Sequence, residues 1–205
     1  IGSENTFLGY STGSGSSGSH NTFIGARVGE NAQGENNIFI GSYIGSNKTV
    51  DNRLLIHNSA TSYPLIYGEF DNSLVKIHGT LEMAEAVGPS DERMKKNVQP
   101  LESSLDKVSE LNGVSFDWKT EDYGERGLSE RRQIGLLAQE VEKVLPELVR
   151  TGDDGFKSVA YTKLTAVLVE AIKELKSENA ALKTQMKEQQ EKINAIMAIL
   201  EKQAG

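Results

Sequence analysis

Ser90 and Lys95, five residues apart in PSDERMKKNVQP (residues 89–100), pair a hydroxyl with an amine. A serine hydroxyl is a poor nucleophile at neutral pH, and a lysine amine can activate it when burial or nearby positive charge favours the neutral base. Arg93 and Lys96 flank Lys95 and supply such charge. The chemistry on offer is attack on a peptide carbonyl. The same residues have a second reading, in which SDE starts a helix with serine as its N-cap and acids in the first turn. On spacing alone the N-cap is the stronger of the two.

The elements that must position this dozen differ on its two sides. Upstream, NTFLG at residues 5–9 returns as NTFIG at 21–25 and NIFIG at 37–41, and Gly13, Gly29 and Gly45 keep the same interval of 16. A fixed period of this kind is the signature of a solenoid. Each unit offers a short β-prone strand (Phe7 and Leu8; Phe23 and Ile24; Phe39 and Ile40) followed by Gly, Ser and Asn for tight turns. One coil cannot bury its apolar face alone, so stacked coils share a core. TGSGSSGSH at 12–20 composes like a linker, but the register kept on both sides of it predicts an ordered turn. RLLIH (53–57), PLIYGEF (64–70) and SLVKIHG (73–79) then read as short strands of a β-rich connector.

Downstream, charge density rises and glycine thins out. Leu101, Leu105, Val108 and Leu111 form a helical stripe, GVSFDWK (113–119) and RQIGLLA (132–138) read as strands, and QEVEKVLPELV as a short helix stopped at Pro146. The last stretch carries heptads. With Leu168, Leu175, Leu182, Gln189 and Ile196 at d, the a positions are Ile172, Asn179, Met186, Ile193 and Leu200. An apolar seam at a spacing of 3.5 stays dry only under another helix, so the chain is expected to oligomerise. Asn179 and Gln189 would fix the register at some cost in stability.

The expected fold is therefore mixed: β-roll repeats over 1–50, a β-rich connector over 51–89, an α+β domain over 90–160 and a long coiled-coil helix over 161–205.

Composition narrows the function. With 29 Asp plus Glu against 22 Lys plus Arg and no long basic run, a phosphate-binding footprint for nucleic acid is missing. The chain has no cysteine, hence neither disulfides nor thiolate metal sites, and no run long and apolar enough to span a bilayer. It starts at Ile1 in mid-pattern, which reads as a fragment of something longer.

Three blocks in order, PSDERMKKNVQPL, RRQIGLLAQEVEKVLPELV and SVAYTKLTAVLVEAIKEL, resemble the intramolecular-chaperone autoprotease domain of phage tailspike endosialidases, tail fibres, some bacterial surface fibres and the myelin regulatory factor. The resemblance covers Ser90 to about Leu175. It implies a homotrimeric domain that helps a preceding β-rich fibre to fold and trimerise, and that in many members cuts its own chain before the motif serine. Carried over, the scissile bond is Pro89–Ser90, Ser90 is the nucleophile and Lys95 the general base of a single-turnover endopeptidase. Asp91, Arg93 and Asn97 match supporting motif positions. The NTFIG-type repeats are similar to the β-roll heads of trimeric bacterial adhesins, which points to a bacterial surface fibre, with a phage tail fibre as the alternative.

The partner implied is the chain itself, as a homotrimer, with a surface glycan or protein as ligand in the alternative of a non-cleaving binding tip. No cofactor or metal is expected. His20, His57 and His78 are scattered without ligand spacing, and TGDDG around Asp153 and Asp154 lacks the other positions of a calcium loop. Trp118 reads as a core residue of the small domain.

Overall fold

The computed structural model describes residues 2–203, so Ile1, Ala204 and Gly205, at the outer ends of the first and last expected segments, lie outside the described residues. In chain order the strands and helices are β1 (Thr6–Leu8), β2 (Thr22–Ala26), β3 (Ile38–Ser42), β4 (Arg53–His57), β5 (Ile66–Glu69), β6 (Leu74–Ile77), α1 (Ser104–Ser109), β7 (Gly113–Phe116), α2 (Thr120–Tyr123), β8 (Gln133–Leu136), α3 (Ala138–Val144), β9 (Val149–Thr151), β10 (Lys157–Val159) and α4 (Tyr161–Gln203). They form two compact units, one of residues up to 88 together with 117–133, the other of 89–116 together with 134 onward.

In the first unit β1 to β4 stack in parallel, with Phe7, Phe23, Phe39 and Leu55 opposite one another. Strand alternation turns this row inward. The rings of Phe7, Phe23 and Phe39 stack at 5.1 and 4.8 Å between centroids. Val28, Ala32 and Ile44 complete the core. The coils are also tied by an asparagine ladder. Asn21 N–H donates to Asn5 Oδ1 (2.9 Å), Asn37 N–H to Asn21 Oδ1 (3.0 Å) and Arg53 N–H to Asn37 Oδ1 (2.9 Å). Each side-chain amide in turn donates to a carbonyl one turn along, at Gly18, Gly34 and Val50. Burying an amide in each coil is favourable because every one of these polar groups is paired.

Two repeat glycines are required by geometry. Gly25 has φ +126° and a Cβ there would meet the Gly41 carbonyl, while Gly29 has φ +63° and lies against the Phe23 ring. The parallel stack runs past residue 50: β4, expected in the connector, pairs parallel with β3 as a fourth rung. β5 and β6 then add antiparallel strands that close this end. Segment 117–133 joins this unit, where the Arg126 guanidinium lies 4.9 Å over the Tyr63 ring. That stretch, expected to be a loop, contains the helical turn α2. Trp118, expected in a core, is 43% exposed. It follows β7 where the chain passes from one unit to the other, and it belongs to neither apolar cluster.

In the second unit β7 pairs with β8, and β9 with β10 as a hairpin around TGDDG. Val141, Leu145, Leu148 and Val167 form its buried centre, with Val108 and Leu136 against them. α1 is shorter than its stripe, because Ser103 adopts a left-handed conformation (φ 53°) and the helix begins after it. α3 ends before Pro146, whose ring cannot continue it. α4 runs 43 residues, about 65 Å at the usual rise.

Candidate functional site

The segment from Gly79 to Ser103 is exposed throughout, and the dozen residues of interest form one turn within it. Asp91 caps a short 3-10 turn over Glu92–Met94: its Oδ1 accepts from Arg93 N–H (2.9 Å) and Nε (3.0 Å), and its Oδ2 from Arg93 Nη2 (2.7 Å). A fork of two parallel bonds holds a carboxylate in a fixed direction. The side-chain and backbone bonds from Arg93 hold the Asp91 carboxyl below its ordinary range. Lys95 N–H closes the turn on Glu92 O (2.9 Å). The chain is thereby folded back on itself, and Lys95 Nζ donates to Ser90 Oγ at 3.0 Å. Asn97 follows in the left-handed region (φ 55°), where asparagine is tolerated.

The turn brings Ser90, Asp91, Arg93 and Lys95 together, with Pro89 next to the hydroxyl and Asn97 just beyond. The cap belongs to Asp91, so the N-cap reading of Ser90 is replaced: Ser90 has its hydroxyl on the amine instead. With nucleophile and base within hydrogen-bond reach, the arrangement can move a proton from Oγ to Nζ once the amine is neutral.

α4 carries the other candidate surface. Leu168, Ile172, Leu175, Leu182, Met186, Ile193, Ile196 and Leu200 are 39 to 68% exposed on the single chain. Asn179 Nδ2 bonds back to the Leu175 carbonyl (2.9 Å), and Gln189 lies exposed in the same seam.

Sequence reasoning missed Glu174. Its carboxylate accepts from Ser104 N–H (3.0 Å) and Leu105 N–H (2.7 Å), the open amides at the start of α1. These bonds, Leu105 first, hold it below the usual carboxylate range. No signal in the sequence pointed to it: Ser103 reads as a cap by residue type, but in the structure it supplies no side-chain cap.

Of the three histidines, His20 pairs with Glu4 (2.7 Å), His57 Nδ1 accepts from Leu65 N–H (3.2 Å), and His78 Nδ1 meets the Pro64 carbonyl (2.6 Å). Among the described residues no cluster of three metal-ligating side chains occurs, and no helix is long and apolar enough to cross a membrane.

The chain thus carries a four-rung parallel β-stack followed by a small α+β domain that opens on a Ser–Lys turn. Residues 90–150 match the family described as chaperone of endosialidase, and this segment is an intramolecular chaperone domain of that family. The chain is also similar to the long tail fiber protein Gp37 of Enterobacteria phage K3 (39% identical over 101 residues, 47% of this chain and 8% of that protein) and of Enterobacteria phage T2 (39% over 101 residues, 47% and 7%). The Salmonella phage S16 protein of the same name is 36% identical over 108 residues, 48% of this chain and 14% of its own length. The match thus spans a small part of these relatives.

Proposed function

We propose that the chain is part of a homotrimeric phage tail fibre whose chaperone domain drives folding and trimerisation, and then cuts the Pro89–Ser90 bond once. The tail-fibre relatives favour this setting over a bacterial surface adhesin. The observation that carries the assembly is the α4 seam: eight apolar side chains at heptad spacing, none of them buried by the chain itself. Burying each would contribute on the order of 1–2 kcal/mol. The outward row of the parallel sheet, Leu8, Ile24, Ile40 and Ile56, adds a second partly exposed apolar stripe on the unit that must be kept in phase.

Three chains winding near-identical coils face a register problem, since a slip of one coil changes little locally. A helical trimer holds them in phase at high effective concentration. In the cut itself, Ser90 Oγ attacks the Pro89 carbonyl carbon and gives its proton to Lys95 Nζ. The C–N bond breaks, Ser90 N takes that proton, and the resulting Pro89 ester on Ser90 Oγ is hydrolysed by water. Lysine serves as base only as the free amine, which burial favours. The turn is exposed on one chain, so a neighbouring copy covering it would couple the cut to assembly. Cleavage then removes the way back to unfolded chains and leaves kinetic stability.

The same exposure favours one other reading, a non-cleaving trimeric binding tip in which the domain is a permanent clamp. Native mass of the intact chain, wild type beside an Ile172→Asp, Leu182→Asp double variant, tests the assembly. A trimer that the double variant loses supports it; a wild-type monomer removes it.

A further inference from the structure

Of all the asparagines in the chain, only Asn112 precedes a glycine. An asparagine side chain carries an electrophilic carbon, Cγ, within reach of the next residue's backbone nitrogen, which can close a cyclic imide on it. The closure needs a free carboxamide and a backbone that can turn its nitrogen toward Cγ. A following β-branched residue obstructs that turn, and a following glycine leaves it open. In the solenoid both requirements fail. The carboxamides of Asn5, Asn21 and Asn37 are bonded at nitrogen and at oxygen, and Thr6, Thr22 and Ile38 follow them.

At Asn112 both restraints are relaxed. The residue lies exposed between the end of α1 and the start of β7. Its Nδ2 donates to Glu140 Oε2 at 3.4 Å, longer than the usual range of such bonds. Gly113 is exposed as well, and a Cβ built on it would meet nothing within 4 Å. Water therefore reaches both residues.

We infer that Asn112 is a site of spontaneous deamidation within the chaperone domain, and that the product loosens the tie to α3. The Gly113 nitrogen attacks Asn112 Cγ, the bond from Cγ to Nδ2 breaks, and Nδ2 leaves as ammonia, taking the Gly113 amide proton. Water then opens the imide. Addition at Cγ gives aspartate, and addition at the Asn112 main-chain carbonyl gives isoaspartate, whose backbone runs through the former side chain. Water is the only co-reactant, and nothing is oxidised or reduced. Either product loses the donor to Glu140 and sets a second negative charge near it, which is unfavourable. Glu140 stands in the first turn of α3, next to Val141 in the buried centre of the unit. The assignment does not depend on whether the chain is cut or trimeric.

Peptide mapping of the full-length chain, aged at neutral pH and physiological temperature over days to weeks, tests it. The tryptic peptide 108–119 should change from amide to acid mass at least about tenfold faster than peptides carrying Asn21 or Asn37, and part of the product should be methylated by an isoaspartyl methyltransferase. Gly113→Ala places its Cβ in open space, so the fold is kept while the change slows about tenfold. Leu145 N–H, bonded to Val141 O (2.7 Å), reports on α3. Its hydrogen exchange should rise about twofold in Asn112→Asp and return when Glu140→Gln is added. A peptide 108–119 that ages no faster than the solenoid peptides, or a Gly113→Ala chain that ages as fast as wild type, would overturn the site. Exchange at Leu145 unmoved by Asn112→Asp would overturn the tie to α3.

Discussion

Lys95 Nζ and Ser90 Oγ lie 3.0 Å apart because a different pair, Asp91 and Arg93, bends the chain between them. The dyad is a product of a local clasp. Asp91→Ala removes the cap and both arms of the fork, so the 3-10 turn loosens and Lys95 is no longer returned to the hydroxyl. Self-cleavage, followed by denaturing gels over time, is expected to slow at least tenfold while the native mass stays that of wild type. An unchanged rate would mean that the clasp is not what positions the base. The sign with pH follows from the same pair: the folded Asp91 carboxyl sits below its usual range, so the clasp is intact above that range and is lost as pH falls through the depressed value.

Asn37, like Asn21, has its side-chain amide fully committed in the solenoid. It is 2% exposed, donates to Val50 O (2.7 Å), accepts from Arg53 N–H (2.9 Å) and links back to Asn21 (3.0 Å). Asn37→Ala leaves a part-buried carbonyl and a part-buried amide without these partners, at about 1–3 kcal/mol. Denaturant unfolding read on the solenoid should show that loss, and hydrogen exchange at Arg53 N–H should accelerate. Gly25→Ala should be at least as damaging, since its Cβ meets the Gly41 carbonyl in a backbone conformation that side chains avoid. A Gly25→Ala chain as stable as wild type would contradict the stacking described.

Glu174 tells how α4 is fastened to the rest of its unit. Glu174→Ala should free the α1 amides, raising hydrogen exchange at Ser104 and Leu105 first. Because the folded carboxyl lies below its ordinary range, the contribution is present above the unfolded carboxylate value and is lost as pH falls through the folded one. Exchange at those two amides should therefore rise in acid in wild type and be less pH-dependent in the variant, once the intrinsic exchange rate is divided out.

The parts of this molecule legible in its sequence are those with a period. The interval of 16 gave the coils because each repeats the same Asn, Phe and Gly for the same ladder, stack and turn, and the heptads gave α4. The fourth rung was hidden for a physical reason. At β4 the ladder needs only a backbone amide, so Arg53 stands where asparagine stood, and Leu55 where phenylalanine stood. Glu174 was equally hidden, because it caps a helix some 70 residues away in sequence. The Ser–Lys pair was visible as residue types, but the fork that folds it is a matter of side-chain geometry between Asp91 and Arg93. Trp118 misled because a lone tryptophan usually finds a core, and here it lies on a segment that leaves one.

The most direct measurement is the denatured intact mass of freshly purified protein, wild type beside Ser90→Ala and Lys95→Ala. Wild type is expected to separate into two pieces at the Pro89–Ser90 bond, while both variants stay whole and keep the wild-type native mass. A wild-type chain that stays whole as a trimer would contradict the cut and leave the domain a permanent folding clamp.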